Sequence, residues 1–174
     1  MMELDNRGYR SRYEVFGELL DRTPWKCRPE VDDVVEFWQS EFPYCAEPMD
    51  QLYDVLDYFF SRGIDLGIVT NGGSDFQYKK IDKLGLRKFM KTIIVSGEVG
   101  VSKPDSRIFD IALEQMGSSR ERTLFVGDYP PTDIKGAVNA GLISVWISDG
   151  DVWSEKEYKP QYTIEKLMDL MHLK

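Results

Sequence analysis

The chain has 174 residues, a length that suits one domain with a small appendage and can bury a core without disulfide or metal staples. A hydrophobic fraction of 42% with only 14 Gly and 8 Pro excludes a collagen-like, low-complexity or disulfide-scaffold chain. The net charge of −8 argues against nucleic-acid partners and anionic membranes, and it requires a local cation wherever an anionic substrate is handled.

The N-terminus, Met1-Met2-Glu3-Leu4-Asp5, carries neither an apolar signal region nor a basic presequence. No apolar run approaches the ~20 residues of a membrane span, so a cytoplasmic location is expected. Across residues 1–48 no strand pattern is evident. Tyr13, Phe16, Leu19 and Leu20 recur at helical spacing, as do Val31, Val34, Val35 and Trp38. A proline-punctuated turn, Thr23 to Pro29, separates them. Of the aromatics Tyr9, Tyr13, Phe16, Trp25, Phe37, Trp38, Phe42 and Tyr44, most are expected to form the core of this helical segment. Cys27 and Cys45 lack CxxC spacing and are expected to be reduced, inert packing residues.

After Pro48 the pattern alternates, over residues 49–174. A helix is predicted from Met49 to Arg62, its acidic face of Asp50, Asp54 and Asp57 solvated, followed by a strand, Ile64 to Val69. Ser74 and Gln77 suggest a capping box for a helix that stops at Gly85. Next come a strand at Thr92–Val95, a helix at Asp105–Met116, a strand at Thr123–Val126 and a helix at Asp133–Ala140. A strand at Leu142–Ile147, a short Tyr162-Thr163-Ile164 piece and a helix bearing Leu167, Met168 and Met171 close the chain. Alternating strands and helices imply parallel strands with right-handed crossovers, in an α/β sheet covered on both faces.

Ligands of such sheets bind at the carboxyl ends of the strands. There stand Thr70-Asn71-Gly72-Gly73, then Ser102-Lys103-Pro104-Asp105, then Gly127-Asp128 leading to Asp133. Each alone also fits an ordinary turn, a solvated lysine or a helix-start carboxylate. Together they suit a phosphoryl group bound with magnesium. The Thr70 hydroxyl and the Gly72-Gly73 amides can donate to phosphoryl oxygens. Lys103 supplies a point charge, and Asp128 and Asp133 suit Mg²⁺. His172, the one histidine, lies far from these loops and is given no role.

Ile68-Val69-Thr70-Asn71-Gly72, Ser102-Lys103-Pro104-Asp105, and Phe125-Val126-Gly127-Asp128 with Asp133-Ile134-Lys135-Gly136-Ala137 and Ala140-Gly141 resemble motifs II, III and IV of the haloacid dehalogenase superfamily. The resemblance runs from about Pro48 to the C-terminus. It implies a Rossmann-like, three-layer hydrolase core with residues 1–48 as part of a helical cap. It also implies a Mg²⁺-dependent phosphomonoesterase acting through an aspartyl-phosphate. Thr70, Asn71, Gly72 and Lys103 would meet the phosphoryl group, and Asp128 and Asp133 the metal. The expected substrate is a small phosphorylated metabolite.

The family's first motif, a strand ending in Asp-x-Asp-x-Thr, has no counterpart. Leu4-Asp5-Asn6-Arg7-Gly8 has Arg7 at the second Asp, and Asp149-Gly150-Asp151 comes last rather than first. By resemblance the strand order is 3-2-1-4-5, so the core is expected to lack its central first strand, between Ile64–Val69 and Thr123–Val126. The expected cause is a truncated sequence that begins inside the cap. Direct pairing of the two flanking strands and filling of the slot by a second chain are the alternatives, and the unpaired edge favours homo-oligomers. This chain alone is expected to be nearly inactive. A non-catalytic domain binding a phosphorylated ligand or a protein is the competing reading. A receiver-type phosphoacceptor is disfavoured because its acidic pair precedes its Lys, whereas here the order is Thr70, Lys103, Asp128.

Overall fold

The computed structural model describes residues 10–173; Tyr9 and the Leu4–Gly8 string lie outside them. The chain separates into two compact units between Ala46 and Glu47. No described helix is long and apolar enough to cross a membrane.

The first unit holds α1 (Arg12–Arg22), α2 (Val31–Glu41) and a 3₁₀ turn, Phe42–Cys45. α1 ends where Thr23 turns extended ahead of Pro24, as residues before proline generally do. Asp32 and Asp33 occupy the first turn of α2, where the helix dipole favours carboxylates. The two helices pack against each other, and the buried residues of the unit are Val15, Leu20, Val35 and Pro43. The expected aromatic core is not what forms. Tyr13, Trp25, Phe37, Phe42 and Tyr44 are exposed, Phe37 to 69%, while Phe16 and Trp38 are half-buried. Helical spacing places residues on one face; it leaves that face in water unless another element covers it. Trp38 instead takes the Arg12 guanidinium over its ring at 4.4 Å and stacks on Phe42 at 5.1 Å. Cys27 and Cys45 are free thiols, but both are exposed rather than packed inside.

The second unit is α/β. Its elements are α3 (Leu52–Phe60), β1 (Leu66–Thr70), α4 (Ser74–Lys83), β2 (Met90–Val95), the single turn α5 (Ser96–Val99) and α6 (Arg107–Met116). Then follow β3 (Leu124–Gly127), a π-helical turn at Pro130–Ile134, α7 (Lys135–Asn139), β4 (Ile143–Ile147) and β5 (Tyr162–Ile164). The final predicted helix is a 3₁₀ stretch, Leu167–His172, which packs against α3. Asp50, Asp54 and Asp57 are solvated, as expected.

All strand pairs are parallel, but they form two sheets: β1–β2, and β3–β4–β5. Two apolar clusters cover the strands. α6 supplies Ile108, Phe109, Ala112 and Leu113 to one, which also takes Ile94 of β2 and Ala137 of α7 and is joined by Val69 of β1 and Phe125 of β3. This cluster therefore touches both sheets, and each large side chain fully buried in it contributes about 1.5–3 kcal/mol. The other collects Val145, Ile147 and Ile164 with Leu167, Leu170 and Leu173.

β1 and β3 do not pair with each other, so the direct pairing of the flanking strands is not what the fold adopts. Burial records the same fact. β2 and β4 contain buried residues, Thr92, Ile94 and Val95 in one and Ser144 through Ile147 in the other. Neither β1 nor β3 contains a buried residue. The two strands that would flank the central one in the 3-2-1-4-5 order thus each have a neighbour on one side only, among the described residues.

Candidate active site

The carboxyl ends of β1 and β3 carry the residues singled out in the sequence. Thr70 ends β1, and its half-buried hydroxyl makes a long 3.5 Å contact to the Asn71 carbonyl. The Asn71 side chain reaches across to the Lys103 loop. Its Nδ2 donates to the Lys103 carbonyl at 2.9 Å, and its Oδ1 accepts the Lys103 N–H at 2.8 Å. Both ends of one side-chain amide thereby grip one backbone position 32 residues away.

Lys103 sits on a loop whose next peptide bond, to Pro104, is cis. Its ammonium donates to the Val69 carbonyl at 2.8 Å and pairs with Asp133 Oδ1 at 2.8 Å. Both side chains of that ion pair are only 10% exposed. The ammonium also lies 5.4 Å from the Phe125 ring centre. One cation thus touches the end of β1, the face of β3 and the π turn beyond it.

Asp133 is buried, and both its oxygens are engaged: Oδ1 by Lys103, Oδ2 by the Tyr129 N–H at 3.1 Å. Gly127 lies directly beneath it. A Cβ at Gly127 would stand 2.3 Å from Asp133 Cβ, so only glycine fits there. The helix expected from Asp133 onward opens instead as the π turn, whose five-residue bond runs from the Lys135 N–H to the Pro130 carbonyl, with Pro130 and Pro131 in the first turn where no N–H partner is needed. Asp128, in contrast, has an exposed side chain. Its backbone carbonyl accepts the Trp146 indole N–H at 3.0 Å, which ties the loop after β3 to β4.

The glycine turn is likewise held from outside. Gly72 has φ +136, a region that L side chains rarely adopt, and its N–H donates to Ser96 Oγ at 2.9 Å. Gln77 does not close a capping box; Gly73 occupies the N-cap, and Gln77 Nε2 donates to the Asn71 carbonyl at 2.8 Å. An open groove of about 410 Å³ runs past Gly72, Gly73, Ser96, Gly97 and Ser102.

The structure thus brings Lys103 and Asp133 together and sets them against the ends of β1 and β3. Two predicted phosphate-binding groups, the Asn71 amide and the Gly72 N–H, are engaged within the protein. Ser96 and Trp146 carry no signal in the sequence, because each acts on a segment 18 or more residues away, whereas Gln77, expected in a capping box, instead holds the Asn71 carbonyl six residues back. Among the described residues no cluster of three or more Asp, Glu, His or Cys side chains is placed to hold a metal ion. Mg²⁺ commonly takes one or two carboxylates with phosphate oxygens and water. The Asp128 side chain is exposed, where a hydrated cation can reach it, whereas Asp133 is buried against Lys103.

A profile of the haloacid dehalogenase-like hydrolase family matches residues 11–147. The pyrimidine 5'-nucleotidase YjjG of Escherichia coli is 40% identical over 109 residues, covering 62% of this chain and 48% of YjjG. The phosphoserine phosphatase of Thermus thermophilus is 37% identical over 109 residues, covering 63% of this chain and 44% of that enzyme. The solved structure of the magnesium-bound HAD-hydrolase YfnB of Bacillus subtilis has a TM-score of 0.83 at 31% identity, covering 98% of this chain and 75% of that one. The chain spans about half the length of the curated relatives it matches.

Proposed function

From the premise that this chain belongs to the haloacid dehalogenase-like hydrolases, we propose that residues 47–174 form the phosphoryl-binding and Mg²⁺-binding part of a phosphatase for small phosphomonoesters. The observation that carries this is the buried Lys103–Asp133 pair, clamped at the carboxyl edge of β1 and β3. An acidic chain that handles phosphate needs a fixed local cation, and Lys103 is that cation. The Thr70 hydroxyl supplies a neutral donor beside it. Asp133 holds the ammonium in place, and Asp128 is the carboxylate that would hold Mg²⁺. When bound, Mg²⁺ would neutralise charge on the phosphoryl oxygens. YjjG and the Thermus enzyme are named for different phosphomonoesters, so the proposed substrate is a class: a small phosphorylated metabolite.

No Asp-x-Asp string follows a strand ahead of β1, and no described strand lies between β1 and β3. The chain alone is therefore expected to turn over poorly. Loss of a nucleophile costs about a millionfold where it has been measured in a protease. This same observation favours the second reading, a non-catalytic phosphate-binding domain. The test is thermal unfolding with Mg²⁺ and inorganic phosphate, alongside hydrolysis of an aryl phosphate. Ligand at tenfold its Kd stabilises by about 1.4 kcal/mol, a shift of a few degrees. A shift lost in Asp128→Ala, with negligible hydrolysis, supports the proposal. No shift at millimolar ligand refutes the binding site, and robust hydrolysis by the chain alone refutes the catalytic gap.

A further inference from the structure

We infer that Asn71 is a positioning residue that acts through the Lys103 backbone. The inference deepens the phosphoryl-site reading above and rests on it for its functional meaning, but the geometry stands independently. Nδ2 and Oδ1 are both committed, to the carbonyl and the N–H of the same residue, at 2.9 and 2.8 Å. An amide offers two N–H donors and two acceptor lone pairs, and one of each is spent here on the same backbone position, which fixes the plane and direction of the Asn71 side chain on Lys103. What the grip achieves is visible at the far end of Lys103. With its backbone fixed to the loop after β1, the side chain reaches back to the Val69 carbonyl, one residue before the end of that strand, and across to Asp133. Asn71 is itself held in place, since Gln77 Nε2 donates to its carbonyl at 2.8 Å. The chain of contacts runs from α4 through Gln77 to Asn71, to the Lys103 backbone, to its ammonium.

A hydroxyl can donate and accept at one oxygen, as Ser96 does toward the Gly72 backbone, so the discriminating substitutions at position 71 are aspartate and alanine. Aspartate at position 71 would keep the acceptor for the Lys103 N–H and lose the donor to its carbonyl. Alanine would lose both. Accessibility of the Lys103 ammonium therefore grades as Asn, then Asp, then Ala.

The experiment is competitive acetylation of the full chain with an amine-selective ester, read lysine by lysine by mass spectrometry, in wild type, Asn71→Ala and Asn71→Asp. Lys80, half-buried on α4, reports global unfolding. Inorganic phosphate with Mg²⁺ is titrated in parallel. The expected result is that Asn71→Ala raises Lys103 acetylation about tenfold, the opening that loss of two hydrogen bonds permits, with Lys80 unchanged. Asn71→Asp gives a smaller, equally selective rise. If Asn71→Ala raises every lysine, the Asp variant decides: a selective Lys103 rise supports the proposal and none overturns it. Unchanged Lys103 acetylation overturns it, and weaker phosphate binding with unchanged Lys103 acetylation reassigns Asn71 to the ligand. If the wild type shows no phosphate response, the functional reading fails while Lys103 acetylation still decides the role of Asn71.

Discussion

The Lys103 ammonium caps the backbone carbonyl of Val69 at 2.8 Å, one residue before β1 ends, near the edge that no described strand covers. A ladder carbonyl left without a partner away from water costs about 1–3 kcal/mol. The same ammonium neutralises a buried carboxylate, that of Asp133. A charged side chain thus serves as a structural plug at the place where a phosphoryl group would call on its charge.

Substituting Lys103→Met is expected to destabilise the chain by about 3–5 kcal/mol, because it strands the Asp133 charge in a site only 10% exposed. Asp133→Asn removes the stranded charge and keeps an acceptor for the Tyr129 N–H. Urea unfolding of both single variants and the double variant should show strong coupling, about 1–3 kcal/mol. Additive effects would mean that the pair is not held as described.

Gly127→Ala is expected to cost about 1–3 kcal/mol, typical of overpacking a filled site. The added methyl would stand 2.3 Å from Asp133 Cβ, so Asp133 or the strand must move. The cost should shrink in an Asp133→Gly background, where the obstructing Cβ is absent. Urea midpoints for the two single variants and the pair check this.

Much of this layout was legible from local chemistry. Apolar runs of strand length, punctuated by glycines, placed β1 through β4 and located Thr70, Lys103, Asp128 and Asp133 at strand ends. Gly63, Gly85, Gly117 and Gly141 do take left-handed conformations at helix ends, as the pattern implied. The division of labour among site residues was not legible. Whether Asn71 faces a ligand or Lys103 depends on two segments 32 residues apart. Asp128 and Asp133 look alike in sequence, yet one is exposed and the other buried over Gly127. The aromatic stripes of α1 and α2 were read as core because spacing reports a shared face, whereas burial needs a neighbour to cover it.

Tyr158 provides a pH signature. Burial, reinforced by Glu155, Glu157 and Tyr129, pushes its phenol up to about 12. The neutral form is favoured in the folded state, so below the ordinary tyrosine value of about 10 the group adds no pH dependence. Between about 10 and 12 the unfolded chain loses the proton while the folded chain keeps it, and stability falls as pH rises. Tyr158→Phe should flatten the alkaline limb of stability in that window and leave neutral pH little changed. An identical alkaline limb in both proteins would count against it.

Trp146 offers the most selective test of the metal proposal. Its indole N–H donates to the Asp128 carbonyl at 3.0 Å, while its ring meets Trp153 edge-on at 5.1 Å. Trp146→Phe keeps an aromatic ring in the cluster and deletes the donor. The loop after β3 then loses the bond that fixes Asp128 relative to β4. Partners that orient a metal ligand from behind typically change metal affinity by about 10–100-fold. Mg²⁺ titration with inorganic phosphate should therefore weaken by about tenfold in Trp146→Phe, with a stability loss near 1 kcal/mol. Phosphate affinity measured without Mg²⁺ should hold, because Thr70 lies on β1 and Lys103 keeps its bonds to the Val69 carbonyl and to Asp133, neither of which involves the Trp146 indole. A loss of phosphate binding with and without Mg²⁺ alike would show that Trp146 supports the site as a whole, and would remove Asp128 from its assigned place at the metal.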